Sequence, residues 1–176
     1  MNTNELKYSE LTIDRLKEAL DMITDVFYEY NAKDYSEQGI REFTNFIDFD
    51  WHKNRFEERS YIDDESDEEG GVFIRFYDEF RMWICEDTGN DKIIGVLATY
   101  GAHLYWMFVD GKYHRRGIAR KLFDIMVENI KPHRMTVCAS PYAVEVYRKL
   151  GFVDSGDEQN EQGLRVIPMV YTSKGA

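Results

Sequence analysis

The sequence predicts a mixed α/β fold, a mostly antiparallel central sheet flanked by helices. Three observations lead there. Apolar residues at helical spacing fill the first part of the chain, from Ile13 to Tyr30. Short apolar runs bounded by turn residues then follow one another up to Val109. After Gly117 the pattern becomes helix, strand, helix, strand. Period-2 runs with short turns give antiparallel neighbours, and intervening helices cover the faces of the sheet.

Taken in order, Ile13, Leu16, Leu20, Ile23, Val26, Phe27 and Tyr30 lie on one helical face, with Thr12 as a candidate cap. Ile40, Phe43, Phe46 and Ile47 give a second helix behind Ser36, and residues 51–59 a third. From Glu57 to Glu69 eight acids face one arginine. That composition reads as a solvated loop, or as an acidic rim that draws in an amine. Val72–Tyr77, Arg81–Glu86, Lys92–Tyr100 and Leu104–Val109 read as strands, with a hairpin signal at Asp87-Thr88-Gly89-Asn90-Asp91. Ile118, Leu122, Ile125, Met126 and Ile130 define a helix from about Gly117. Arg134–Ala139 is a strand, and Ser140-Pro141 fits the N-cap and first position of a helix ended by Gly151. Leu164–Tyr171 is the last strand.

With 176 residues, 43% of them apolar, the chain is expected to form one domain spanning 1–176. A net charge of −11 argues against general nucleic-acid binding. The two cysteines, Cys85 and Cys138, form no C-x-x-C pair and read as buried reduced thiols, and the four histidines lack metal spacing, so no metal is expected. Met1 to Glu5 has no basic and apolar signal segment, and no run is long enough to span a membrane. The expected location is cytoplasmic.

Residues 103–120 carry most of the functional information. An apolar strand ending at Val109 runs into Asp110-Gly111, then His114, Arg115, Arg116 and Gly117, and then a helix. The first turn of a helix has unpaired N–H groups and a partial positive charge. Gly117 admits close approach of a ligand to the backbone, and two arginines add charge to a chain that is otherwise acidic. A phosphate-bearing ligand fits this corner. The spacing matches neither a P-loop nor the dinucleotide fingerprint.

What the stretch resembles is the pyrophosphate motif of GCN5-related N-acetyltransferases, [QR]-x-x-G-x-[GA], present as His114-Arg115-Arg116-Gly117-Ile118-Ala119. His114 departs from the usual Gln or Arg. Further on, Ser140, Ala143, Tyr147, Gly151 and Phe152 are similar to that family's N-x-x-A-x-x-x-Y-x-x-x-G-F, with Ser140 in place of Asn. Two motifs in order, a strand and helix apart, are far more specific than either alone. The resemblance covers roughly residues 81–171 and implies the acyl-CoA N-acyltransferase fold. Residues 72–171 would form the core with the CoA site, and the helical part up to about residue 70 the acceptor side.

The resemblance further implies transfer of an acetyl group from acetyl-CoA to a primary amine, by direct attack in a ternary complex. Backbone groups from Arg115 to Ala119 would hold the pyrophosphate. The pantetheine arm would run beside Met107 and Val109, where the strand splays from Arg134–Ala139, and an N–H near Phe108 would face the oxyanion. Tyr147 holds the general-acid position, and Ser140 would touch the pantetheine or leaving-group side. His103 is the first candidate base and Glu86 the second. Tyr28, Tyr30, Tyr105 and Trp106 are candidates for the acceptor pocket as well as for the core. The acceptor is left open between small-molecule and protein amines, and such folds are compatible with a homodimer. Two other readings stay open: a non-catalytic acyl-CoA-binding regulatory module, which would keep the cleft without a base, and a generic phosphate-binding α/β domain, which would not need the Tyr147 motif.

Overall fold

A computed structural model of the chain describes residues 5–62 and 80–173. The expected strand Val72–Tyr77 and residues 63–69 of the acidic stretch lie outside them. The described strands are β1 (Leu6–Glu10), β2 (Phe80–Asp87), β3 (Lys92–Tyr100), β4 (His103–Val109), β5 (Arg134–Ala139), β6 (Val153–Asp154), β7 (Gln159–Glu161) and β8 (Leu164–Thr172). They form one sheet in the order β1-β2-β3-β4-β5-β8-β6, with β7 paired to β8. All neighbours are antiparallel except β4 and β5.

The two faces of the sheet carry separate cores. α1 (Leu16–Val26), α2 (Glu37–Phe46) and α3 (Phe49–Ile62) cover one face. There Leu16, Leu20 and Ile23 meet Met82, Ile84 and Val96. α4 (Ile118–Ile130) and α5 (Val144–Leu150) cover the other, where Ile118, Leu122 and Met126 meet Cys85, Ile94 and Leu104. Each fully buried Leu or Ile contributes about 1.5–3 kcal/mol, so these two sets hold the helices on the sheet. Gly95 lets α4 come close: a Cβ there would lie 2.9 Å from the Ile118 side chain.

Several expectations are corrected. Thr12 makes no side-chain cap, because the chain opens with a 3-10 turn, Ile13–Arg15, before α1. Beyond Val26 the helix widens into a π-helical turn, Phe27–Asn31, followed by a 3-10 turn, Ala32–Asp34. Ser36 does cap α2, its Oγ accepting from Gly39 N–H at 3.2 Å. The acidic stretch is not all loop, since α3 continues through Ile62. Ser140 does not cap α5. The chain turns first, with Ala143 N–H bonded to Ser140 C=O at 2.9 Å, and the helix begins at Val144. Cys138 is exposed rather than buried, and both cysteines are free.

The feature that positions the site is where the sheet stops pairing. β4 and β5 are parallel, with a single registered pair, His103 with Thr136, beside one bond from Thr136 N–H to Ala102 C=O at 3.0 Å. Beyond that point the strands part, while β4 stays paired to β3 through Val109 and β5 to β8 through Ala139. A register shift between Ala98 and Thr99 puts a bulge at Tyr105, which bends β4 at the parting.

Candidate active site

A cavity of about 820 Å³ fills the space between the parted strands. That size suits a cofactor-sized ligand. His103 lies at its closed end. Met107, Phe108 and Val109 of β4, and Cys138 of β5 with Ser140 beyond it, form its sides. The loop His114–Ala119 and Tyr147 line it further out. The structure thus gathers most residues of both sequence motifs; Gly151 and Phe152 lie off the cavity, and Arg116 is exposed and stacks on the Tyr113 ring at 5.0 Å.

The strand supplies hydrogen-bonding groups on a fixed phase. Asp110 N–H donates to Ile94 C=O at 2.9 Å, so alternation directs the N–H groups of Phe108 and Trp106 to β3 and those of Met107 and Val109 to the cleft. Of the N–H groups near Phe108, those that face the cleft are therefore its neighbours', Met107 and Val109. Glu86 is excluded as a base. It sits outside the cavity, ion-paired to Arg15 and to Lys7 at 3.5 Å.

At the outer end the backbone favours an anion. Gly117 caps α4 in the left-handed conformation, with φ of 79°, and no side chain satisfies the first turn. The first bond of this turn runs from Lys121 N–H to Gly117 C=O, leaving the N–H groups of Ile118, Ala119 and Arg120 without helical partners. A Cβ on Gly117 would meet nothing within 4 Å, so the space above it is open. Arg115, itself at φ of 61°, lines this end with Arg120 and Lys149. A pyrophosphate fits such a corner.

The loop that carries this corner is tied down from below. Tyr113 hydroxyl donates to Asp87 Oδ2 at 2.5 Å, and Asp87 also accepts from Gly89 N–H and Asn90 Nδ2 in the β2–β3 turn. His114 Nε2 lies 2.8 Å from Val109 C=O. A carbonyl only accepts, so Nε2 carries the proton, and the ring clamps the loop to the end of β4.

The π-helical turn brings two side chains across the parting. Asn31 Nδ2 donates to Ser140 Oγ at 2.9 Å. Tyr30 packs its ring 5.0 Å from His114 on one lip and 5.5 Å from Tyr142 on the other. Its hydroxyl rests on Gly111, where a Cβ would lie 1.7 Å away. Only a glycine leaves room for that ring. Nothing in the periodicity of the first helix pointed to this widened turn, although such turns are frequent at functional sites.

Two titratable side chains on the cavity are displaced from their ordinary ranges by burial. Tyr147 is buried with 5% exposure, packs against Phe152 edge-on, and has no hydrogen-bond partner for its hydroxyl among the described residues. Burial alone pushes the phenol well above its ordinary range, so it stays protonated. His103 is lowered by burial, partly offset by the Glu161 carboxylate, and its Nδ1 lies 2.9 Å from Thr136 Oγ1. A neutral imidazole at physiological pH follows. Glu161, on β7, lines the same cavity and was not singled out from the sequence. Tyr105 and Trp106 line it too, with Tyr35, Phe43 and Phe46; Tyr28 does not.

Among the described residues no group of His, Cys, Asp or Glu could hold a metal ion, and no helix is long and apolar enough to cross a membrane.

Comparison with known proteins adds to this geometry. No curated protein matches the chain. Among solved structures, the PaiA N-acetyltransferase from Thermoplasma acidophilum in complex with coenzyme A is similar, with a TM-score of 0.69, 14% identity, and 96% of this chain and 99% of that one covered. A GCN5-related N-acetyltransferase from Rhodopseudomonas palustris gives 0.63 at 18% identity, covering 98% and 99%. A spermidine N-acetyltransferase chimera from Vibrio cholerae gives 0.56 at 18%, covering 95% of each chain. At such identities these likenesses show the fold. The acetyltransferase (GNAT) domain family matches residues 31–173. The parted β4 and β5, the open helix N-terminus at Gly117 and the buried Tyr147 thus lie within the matched segment, and the chain belongs to the GNAT family of acetyltransferases, an acyltransferase class of enzyme.

Proposed function

We propose that the chain transfers an acetyl group from acetyl-CoA to a primary amine, by direct attack while both are bound. The observation that carries this is that the parting of β4 from β5 and the helix N-terminus at Gly117, with its unpaired N–H groups, line one cavity. A long, bent ligand with a diphosphate at one end and an amide-bearing arm fits both at once. The backbone from Arg115 to Ala119 would hold the diphosphate, with Arg115 adding charge and Arg116 screening from outside. Met107 and Val109 would pair with the arm through their cleft-facing N–H groups. Ser140 and Cys138 would flank it on the β5 side.

Acetyl-CoA supplies an acyl group already activated as a thioester. The protein's part is to place the amine and manage two protons. With Nδ1–H donated to Thr136 Oγ1, His103 keeps its Nε2 lone pair and takes the proton that the amine gives up. Tyr147, kept neutral by burial, gives its proton to the departing sulfur. A cleft-facing N–H of Met107 or Val109 stabilises the charge that develops on the acyl oxygen. The acceptor would enter from the face covered by α1–α3. No covalent intermediate on Cys138 is needed. Although the residue is exposed as a whole, partial desolvation of its sulfur, with the Glu161 charge, holds the thiol above its usual range, in its less nucleophilic form. Thiol release from acetyl-CoA, followed against a panel of amines, tests this reading. Release that depends on an added amine supports it, and tight CoA binding without release for any amine would make the chain a binding module instead.

A further inference from the structure

We propose that the acceptor is a monocationic primary amine on a flat apolar body, an arylalkylamine, its ammonium met by Glu161 and its body laid against Phe46 and Tyr105. This rests on the acetyltransferase reading and names the substrate class for the same cavity.

Charge is distributed unevenly along the cavity. Arg115, Arg120 and Lys149 lie where α4 begins and α5 ends. Among the described lining residues Glu161 is the one carboxylate, and it makes no ion pair with another described residue. Its neighbour Glu158 is already engaged by Arg165, Nε to Oε1 at 2.6 Å. Glu161 lines the same cavity as His103 and Cys138, and its charge acts on both. An amine drawn to Glu161 enters the cavity that the candidate base His103 also lines.

The cavity is also rich in aromatic rings. Phe27, Tyr35, Phe43, Phe46, Tyr105 and Trp106 line it. Phe46 stacks on Tyr105 at 5.2 Å and 20°, yet remains 50% exposed, so one side of this pair is free to receive another flat group. A stacked pair with an open face beside one carboxylate satisfies one positive charge and one apolar body. Among the described lining residues, the second ammonium of a polyamine would find no second carboxylate beside these rings.

Carboxylate and rings are held as one piece. The α2 helix that carries Phe43 and Phe46 touches the β7–β8 turn backbone to backbone. A Cβ on Gly39 would lie 2.3 Å from Gly163 C=O, and one on Gly163, at φ of 88°, 2.5 Å from Ser36 Oγ. Glu161 is two residues from that contact, so its position relative to the ring wall is fixed by a fit that needs two glycines.

The test uses the full chain. CoA binding is first measured by calorimetry, then thiol release is compared for 2-phenylethylamine and spermidine, with Glu161→Gln and Phe46→Ala alongside wild type. The expected result is a kcat/KM for 2-phenylethylamine about tenfold or more above that for spermidine. Each variant should raise the KM for the amine about tenfold while leaving the Kd for CoA unchanged. Preference for spermidine, turnover of neither amine by a chain that binds CoA, or an unchanged KM in Glu161→Gln would each overturn the proposal and leave the acetyltransferase reading standing. Failure of the chain to bind CoA would remove that reading first, and this proposal with it.

Discussion

Asn31 and Ser140 join the first helix to the far lip of the cleft through one bond, Nδ2 to Oγ at 2.9 Å. Asn31 is buried at 8% exposure, so its amide has few alternatives. Asn31→Ala should cost about 1 kcal/mol in denaturant unfolding, the usual net worth of such a bond. It should also weaken CoA binding several-fold by freeing the Ser140 turn. Stability lost with CoA affinity intact would make the bond purely architectural.

Tyr147 is predicted to act only on turnover. Tyr147→Phe keeps the ring against Phe152 and removes the proton, so kcat should fall by about 10²-fold or more with the Kd for CoA unchanged. A variant that turns over at the wild-type rate would take Tyr147 out of the mechanism.

For His103 the burial-driven lowering sets the direction of the pH dependence. The neutral form is the competent base, so activity is complete at neutral pH and is lost as pH falls through a value below the ordinary 6.5. His103→Ala should lower kcat and abolish this acid limb. A limb that persists in the variant belongs to another group.

Gly117 separates strain from occupancy. Any side chain there adopts the left-handed conformation at a cost of about 1–2 kcal/mol, so Gly117→Ala and Gly117→Glu should lose similar stability. Only the glutamate puts bulk and negative charge into the open space above the helix. CoA binding should survive in part in Gly117→Ala and vanish in Gly117→Glu. Equal binding by the two would place the diphosphate elsewhere.

His52 gives a pH-dependent stability away from the cleft. It is fully buried, its Nε2 donates to Phe46 C=O at 3.0 Å, and its Nδ1 has no partner. Burial lowers it from 6.5 to about 4. The unfolded chain therefore binds the proton first, and stability falls as pH drops from about 6.5 to about 4, by roughly 3 kcal/mol in all. Chemical denaturation at pH 7 and pH 5 should show the loss, and His52→Phe should lessen it.

Much of this was legible in the sequence where one signal dominated. β5 has the bounds that its apolar run indicates, and the turn at Asp87–Asp91 joins β2 to β3 as its composition requires. The corner at Gly117 followed from a change of period with a glycine at the joint. β1 escaped notice because Leu6 to Glu10 has just two apolar residues and lies at the edge of the sheet. The π-helical turn was invisible, since Phe27 and Tyr30 fit an ordinary helical face equally well. Glu161 was missed for another reason. Its role depends on β7 folding back over the cleft, a tertiary relation that no local pattern around Gln159–Glu161 encodes.

That widened turn makes the reach of Tyr30 and Asn31 depend on chain length as well as on residue type. Each helical residue advances the direction of its side chain by about 100°. Deleting Glu29 would restore ordinary winding and swing both side chains away from Gly111 and Ser140, with every strand untouched. How firmly the two lips are stitched together is thus set by the count of residues in one turn of the first helix as much as by their kinds.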